Sequence, residues 1–172
     1  MILVKKNINL RLVSLDDAEF IVKLRSDERK NKYLNKADTN TEKQKEWLKL
    51  YKEREKLRQE FYFVIEAKDE TKLGLVRLYD FKGDSFCWGS FIIVDEAPFY
   101  VAIETVLAVY DFAFYELNFK QSHFDVRKQN KQVVDFHKRF GALIIGEDEQ
   151  NYYFNISLKE YEKNKKRYER FI

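Results

Sequence analysis

Between Gly83 and Phe119 the chain carries no lysine or arginine, and the second half of that stretch is apolar almost all round. From Pro98 onward Ile103, Val106, Leu107, Tyr110, Ala113, Phe114 and Leu117 recur at helical spacing, and most positions between them are apolar too. A helix without a polar face has to be enclosed by other elements. Upstream lie three runs with strand character, Phe61 to Ala67, Leu73 to Tyr79 and Phe86 to Val94, separated by Lys68-Asp69-Glu70 and by Lys82-Gly83-Asp84. Connections that short join antiparallel neighbours, so this part of the chain reads as a meander followed by a largely buried helix. An all-helical bundle and an all-β sandwich are both excluded.

The flanking segments extend this pattern. A strand through Asn7 to Val13 places Ile8, Leu10 and Leu12 on one side, and Ser14-Leu15-Asp16-Asp17 then supplies a cap with an acid three residues on, opening a helix to about Arg25. Thr41 with Gln44 reads as a second capping box before a helix carrying Trp47, Leu48 and Tyr51 and extending into 52–58. Downstream come a strand at Ser122 to Arg127 and a short helix at Lys131 to Phe140, with Val133, Phe136, His137 and Phe140 on one stripe and Gly141 as its terminator. Strands near Ala142 to Gly146 and Tyr152 to Ile156 follow, and Ser157 with Glu160 caps a final basic helix. No repeat, low-complexity tract or linker interrupts the 172 residues, which therefore read as one mixed α/β (α+β) domain, 1–172.

Charge and cysteine content exclude several functions. The net charge of +3 arises from 32 basic and 29 acidic residues mixed along the chain, which does not mark a nucleic-acid binder. The local exception is Lys163, Lys165, Lys166, Arg167 and Arg170 near the C-terminus, where Glu160, Glu162 and Glu169 interleave: a solvated helix face, or else a polyanion contact. Cys87 is alone and there are two histidines, so neither an intramolecular disulfide nor zinc-type spacing is available, and no metal is expected. No apolar stretch is long enough to span a bilayer, and Met1 to Leu10 has only a short apolar run before Lys5 and Lys6, so the chain reads as cytoplasmic with no membrane partner. Exposed sheet edges and abundant aromatics are compatible with a homodimer.

The order strand, two helices, three strands, buried helix, strand, short helix, two strands resembles the GNAT superfamily over nearly the whole chain. The segment Val126-Arg127-Lys128-Gln129-Asn130, running through Val133, Phe136 and His137 to Phe140-Gly141-Ala142, is similar to that family's strand-Asn-helix-Gly stretch. The resemblance implies a GNAT fold: a largely antiparallel central sheet of about seven strands with helices on both faces. It also implies an N-acetyltransferase that moves acetyl from acetyl-CoA to a primary amine by direct attack in a ternary complex, without a metal. By the same resemblance Asn130 contacts the pantetheine arm, with Val133 and Phe136 on the same helix. Phe91, Ile92, Ile93 and Val94 line the splayed strand, Val101, Ala102 and Ile103 open the next helix, and His137 lies near the acetyl-CoA sulfur. A donor at that sulfur would assist departure of the thiolate as a general acid, while the alternative for His137 is a half-buried ring on an apolar stripe.

One segment departs from the family pattern. Where glycines normally let backbone amides approach a pyrophosphate, this chain has Ala97-Pro98-Phe99-Tyr100-Val101-Ala102, flanked by Asp95 and Glu96. Either the helix amides from Val101 to Glu104 still hold the phosphates with help from Lys128, Lys131 or Arg139, or the chain is a non-catalytic GNAT-fold binding module. For the base that deprotonates the acceptor, Glu104 is an acid on an apolar helix and equally a structural acceptor; Glu66, Ser90, Asp95, His123 and Asp125 are the other candidates. The stretch Lys23-Leu24-Arg25-Ser26-Asp27 and the run from Trp88 to Val94 resemble subgroups acting on ribosomal-protein N-termini and nucleotide aminosugars. That makes Arg25 and Trp88 the substrate-side candidates, with a sugar-nucleotide amine as the favoured small-molecule acceptor and a protein N-terminus next. The alternative for Arg25 is a surface pair with Asp27 or Glu28.

Overall fold

The computed structural model describes residues 1–27 and 40–172. Within them eight strands form one sheet: β1 (Ile2–Val4), β2 (Ile8–Leu12), β3 (Phe61–Ala67), β4 (Lys72–Lys82), β5 (Ser85–Ile93), β6 (Gln121–Arg127), β7 (Leu143–Glu147) and β8 (Asn151–Ser157). Their spatial order is β1-β2-β3-β4-β5-β6-β8-β7. Five α-helices accompany them: α1 (Ala18–Arg25), α2 (Thr41–Lys56), α3 (Tyr100–Asp111), α4 (Lys131–Arg139) and α5 (Leu158–Lys165). The eighth strand, relative to the expected seven, is β1, which pairs with β2 through only three residues before Lys5 and Lys6 turn the chain. So short a strand leaves no readable alternation.

Helix ends follow their local chemistry. Asn40, rather than a Thr41–Gln44 box, caps α2: its side-chain oxygen accepts from the amides of Glu42 (2.9 Å) and Lys43 (3.2 Å). Ahead of α1 the Asp17 carboxylate accepts from the Ser14 amide at 2.8 Å. Asp17 is buried, which by itself opposes ionisation, but Arg11 on two oxygens and Lys72 at 2.8 Å outweigh that and hold it well below the usual carboxylate range. One carboxylate thus ties β2, α1 and β4 together. Ser157 accepts from the Glu160 amide at 3.1 Å to open α5, and Gly141, with φ +101°, ends α4 in the left-handed region.

The sheet separates two cores. On one face Val13, Ile21, Leu24, Leu48, Tyr51, Tyr62, Val64, Leu75 and Ile92 pack α1 and α2 against the meander. On the other, α3 is buried nearly all round, as its composition demands, and continues through a wide π-turn over Phe112–Glu116. That turn sets the Phe112 ring edge-on to Phe61 (5.1 Å, 89°) and Phe63 (5.7 Å, 88°). Truncating such a ring costs about 3–5 kcal/mol.

The feature that creates the site is a parallel pairing. β5 and β6 run parallel but pair only at Ser85↔Gln121 and Phe86↔Ser122, after which they diverge. β5 also carries a bulge: Arg77 faces Gly89 and Leu75 faces Ile92, so β5 spends one extra residue, and Ser90 there has φ +46°. The bulge lies one residue beyond Gly89, the position its composition suggested.

Candidate active site

Beyond Phe86 and Ser122 the facing backbone edges of β5 and β6 have no strand between them. Two open edges at diverging strands can receive an extended amide-bearing chain through ordinary strand-type hydrogen bonds. Of the residues expected to line this cleft, Ile92 is buried, whereas Phe91, Ile93 and Val94 are half-buried along β5 and the loop that follows. Asn130, Val133 and Phe136 are half-buried on and before α4. At the start of α3, Val101 is buried and Ala102 and Ile103 are half-buried.

His137 sits at the closed end of the cleft in an aromatic cage. Its ring lies 4.4 Å from Phe124, 5.3 Å from Trp88, and 5.8 Å from both Phe136 and Phe154, centroid to centroid. It is 7% exposed, and its Nδ1 has no hydrogen-bond partner among the described residues. Burial pushes the imidazole pKa down from 6.5 to about 3. At neutral pH the ring is uncharged: it can donate a hydrogen bond but carries no excess proton. Trp88, edge-on to it, is anchored by an indole N–H donated to Tyr110 Oη at 3.1 Å.

The opposite side of the splayed strands is cationic. Arg25 donates from Nη1 to Ser90 Oγ at 3.2 Å, at the bulge, and lies beside the buried Tyr62 phenol. Arg77 donates to Glu60 Oε1 at 2.6 Å and stacks over Tyr79 (4.6 Å) and Trp47 (5.3 Å); its Nε is buried without a partner among the described residues. Arg54 approaches the other oxygen of Glu60 at 3.5 Å and also covers Trp47. Two guanidinium groups, those of Arg54 and Arg77, thus share the Glu60 carboxylate, while Arg25 is held by Ser90 and Tyr62. A Cβ at Gly89 would lie 3.0 Å from Tyr79 Oη, so a side chain there would press on the ring that Arg77 covers.

The remaining candidates occupy other positions. Both oxygens of Glu104 accept from Asn7, at 2.9 Å from its amide and 2.6 Å from its side chain, so Glu104 holds the β1–β2 turn onto α3. Glu66 is paired with Arg11 at 2.7 Å. His123 bridges Ser85 Oγ (2.5 Å) and Asp80 Oδ2 (2.8 Å), which pins β4, β5 and β6 together where the cleft closes. Asp125 is exposed two residues further along β6 and makes no hydrogen bond or ion pair with the described residues. Cys87 is buried, and burial pushes its thiol up to about 11. Glu28, one proposed surface partner of Arg25, lies outside the described residues.

A profile of the acetyltransferase (GNAT) domain matches residues 7–143. The chain belongs to the GNAT acetyltransferase family. FdhC, a nucleotide-linked sugar GNAT solved in its apo form, is 42% identical over 99% of this chain and 98% of its own, with a TM-score of 0.91. Two more distant structures share the fold. The spermidine N-acetyltransferase from Vibrio cholerae, in complex with CoA and spermine, has 21% identity over 90% of this chain and 98% of its own, with a TM-score of 0.77. The ribosomal-protein-S5-alanine acetyltransferase from Vibrio fischeri has 16% identity over 94% and 98%, with a TM-score of 0.76. No curated protein matches the chain. As a GNAT, the protein is an acetyl-CoA-dependent N-acyltransferase. Among the described residues no helix is long and apolar enough to cross a membrane, and no three His, Cys, Asp or Glu side chains gather as a metal site.

Of the cationic face of this GNAT, Arg25 was legible in the sequence and Arg54, Arg77 and Glu60 were not. Arg77 carried a signal, as a charge inside the otherwise apolar strand Leu73 to Tyr79. Tyr62 and Trp47 carried none, because aromatic residues on a strand or helix facing a core are ordinary. The His123 bridge was invisible too, since Asp80, Ser85 and His123 come together only through strand register.

Proposed function

We propose that this GNAT acetylates the primary amine of a nucleotide-linked aminosugar, in the cytoplasm, by direct attack of the amine on acetyl-CoA within a ternary complex. The observation that carries the acceptor class is the face on which Arg54 and Arg77 share a single Glu60 and Arg25 stands at the Ser90 bulge. A nucleotide diphosphate suits that charge, and a polyamine is repelled by it. The 42% identity with a nucleotide-linked sugar GNAT supports the same choice.

Acetyl-CoA brings an activated thioester, and the chain's residues supply orientation and proton handling. The open edges of β5 and β6 take up the pantetheine amides, with Asn130 at the mouth and Phe91, Val133 and Phe136 excluding water. His137, neutral in its cage, steadies the departing sulfur by donating a hydrogen bond rather than delivering a proton of its own. Cys87 is a poor acyl carrier, because a buried thiol with its pKa near 11 holds almost no thiolate at neutral pH. Glu104, Glu66 and Glu60 are committed to Asn7, Arg11 and the arginines, and Asp125, exposed on β6, is the carboxylate assigned to receive the amine's proton, directly or through water.

The test is a CoA-release assay with acetyl-CoA and three acceptors: a nucleotide-linked aminosugar, spermidine, and a peptide beginning with alanine. Turnover with the sugar nucleotide at a kcat/KM at least tenfold above the other two is expected. Preference for spermidine would overturn the charge argument, and preference for the peptide would move the assignment to a protein N-terminus.

A further inference from the structure

We infer that the C-terminal basic segment supplies the positive charge for the CoA phosphates that the loop before α3 lacks. The inference rests on acetyl-CoA dependence and not on the identity of the acceptor. The phosphate-side problem is plain in the chain: no Lys or Arg from Gly83 to Phe119, with Asp95 and Glu96 in the loop. The backbone from Val94 to Tyr100 contains no left-handed residue, so no glycine is required there. Helix α3 also begins with no side-chain cap, the Val101 amide turning back to the Pro98 carbonyl at 3.1 Å. The helix end is formed without strain but carries no charge beyond its own dipole.

The missing charge arrives from the far end of the chain. After α5 the segment Lys166–Phe171 continues as a tight 3-10 turn. Its Phe171 is buried against Phe99 (6.2 Å, 83°), immediately before α3, while Tyr168 stacks on Phe140 at the end of α4 (4.3 Å, 3°). The segment therefore spans from the start of α3 to the end of α4, the two helices that flank the cofactor side of the cleft. Arg170 lies over the Phe171 ring at 4.8 Å, and Arg139 and Arg167 both act electrostatically on the Tyr168 phenol.

Among the described residues these guanidinium groups have no carboxylate partner. On α2 the lysines are matched by glutamates three positions away, as in Lys45–Glu42, Lys49–Glu46 and Lys56–Glu53. Within α5 Lys165 is paired with Asp111 at 2.7 Å. Arg139, Arg167 and Arg170, by contrast, are exposed and make no ion pair with the described residues, although Glu160, Glu162 and Glu169 are close in sequence. A solvated face stitched by its own glutamates would resemble α2. Arginines without a carboxylate, carried on a segment packed between the uncapped start of α3 and the end of α4, point to a phosphate.

Nucleotide-linked sugars also carry a diphosphate, so location decides between the two anions: the arginines lie on the α3 and α4 side of the sheet, not on the α1 and α2 side that holds Arg25 and Arg77. The experiment is calorimetric titration of the full chain with CoA, acetyl-pantetheine and UDP at low and moderate salt, comparing wild type with an Arg167→Gln, Arg170→Gln double variant that keeps Tyr168 and Phe171. The expected result is a CoA Kd raised about tenfold or more in the variant and a shallower salt dependence. Acetyl-pantetheine and UDP affinities and the thermal midpoint should be unchanged. A CoA Kd within twofold of wild type would overturn the C-terminal contact alone. Weakened UDP with unchanged CoA would assign the arginines to the acceptor, which also overturns it. No CoA binding by wild type at millimolar ligand would remove both this inference and the CoA dependence beneath it.

Discussion

His137 makes a quantitative demand on the folded state. Its folded pKa lies near 3 and its unfolded one near 6.5, so the unfolded chain binds a proton that the folded chain refuses. The neutral form is the one the cage accepts, and stability is therefore fully present above about pH 6.5 and is lost as pH falls toward 3. Between pH 7.5 and pH 5 the difference amounts to about 1.5 pKa units at 1.36 kcal/mol each, or about 2 kcal/mol. At a urea dependence of about 2 kcal/mol per molar, the unfolding midpoint should move down by about 1 M over that interval from this group alone. His137→Phe fills the cage with a ring of similar size that cannot be protonated, so its midpoint should lack that portion of the shift, while at pH 7.5 it should match or exceed wild type because no buried nitrogen is left without a partner. Urea titrations of both proteins at pH 7.5, 6 and 5 read this directly. If the two midpoints fall in parallel, His137 is hydrated or paired in solution and the reasoning fails. The same pKa implies that kcat shows no inflection from this ring between pH 5 and 9, although His137→Phe should still lower kcat by removing the donor.

The acceptor face and the proton path make further demands. Arg77→Met keeps an apolar stem over Trp47 but removes the charge, so KM for a nucleotide-linked aminosugar should rise about tenfold with little change in kcat or in CoA affinity; an unchanged KM would take Arg77 out of acceptor binding. Asp125→Asn should lower kcat by ten- to a hundredfold with the acceptor KM nearly constant, partly rescued at higher pH where more amine is unprotonated; full activity at pH 7 would leave proton removal to solvent. Cys87→Ala should retain turnover within about threefold, and mass spectrometry after acetyl-CoA exposure should show no acetylated enzyme; loss of turnover in a folded, CoA-binding variant would replace direct transfer with an acyl-enzyme.

Elements legible in the sequence were those whose signal is local or periodic. α3 was readable because a helix apolar all round has one solution, and β3 to β5 because their intervals leave only hairpins. The Ser157 and Gly141 boundaries rest on single residues with strong conformational preferences. What stayed hidden depends on register. His123 on β6 is 38 residues from Ser85 and 43 from Asp80, and nothing local marks them as partners. For Glu104 the sequence left two roles open, and its Asn7 contacts come from a turn 97 residues away. For the C-terminal basic run the interleaved glutamates left a solvated face and a polyanion contact both open, whereas the fold sends Lys165 to Asp111 and pairs none of the arginines with a described carboxylate.

The bulge at Ser90 explains why one strand can serve both sides of the reaction. Under strict alternation from Trp88, Ser90 would share the face of Trp88 and Phe91 would point toward α1. The extra residue instead keeps Phe91 against Trp88 at 5.9 Å, with the cofactor-side aromatics, and turns Gly89 and Ser90 together toward Tyr79 and Arg25. That division requires a left-handed backbone at a non-glycine residue, which costs about 1–3 kcal/mol. Ser90→Gly should relieve the backbone, leaving stability equal or higher, yet raise the acceptor KM because Arg25 loses the Oγ that positions it. Ser90→Val should lose both, destabilising by about 1–3 kcal/mol because a β-branched side chain resists that φ. Chemical denaturation and acceptor kinetics on the two variants separate the backbone from the hydroxyl. If Ser90→Gly is both less stable and unchanged in KM, the bulge is a packing feature of the meander, and the orientation of Arg25 must be set from α1 instead.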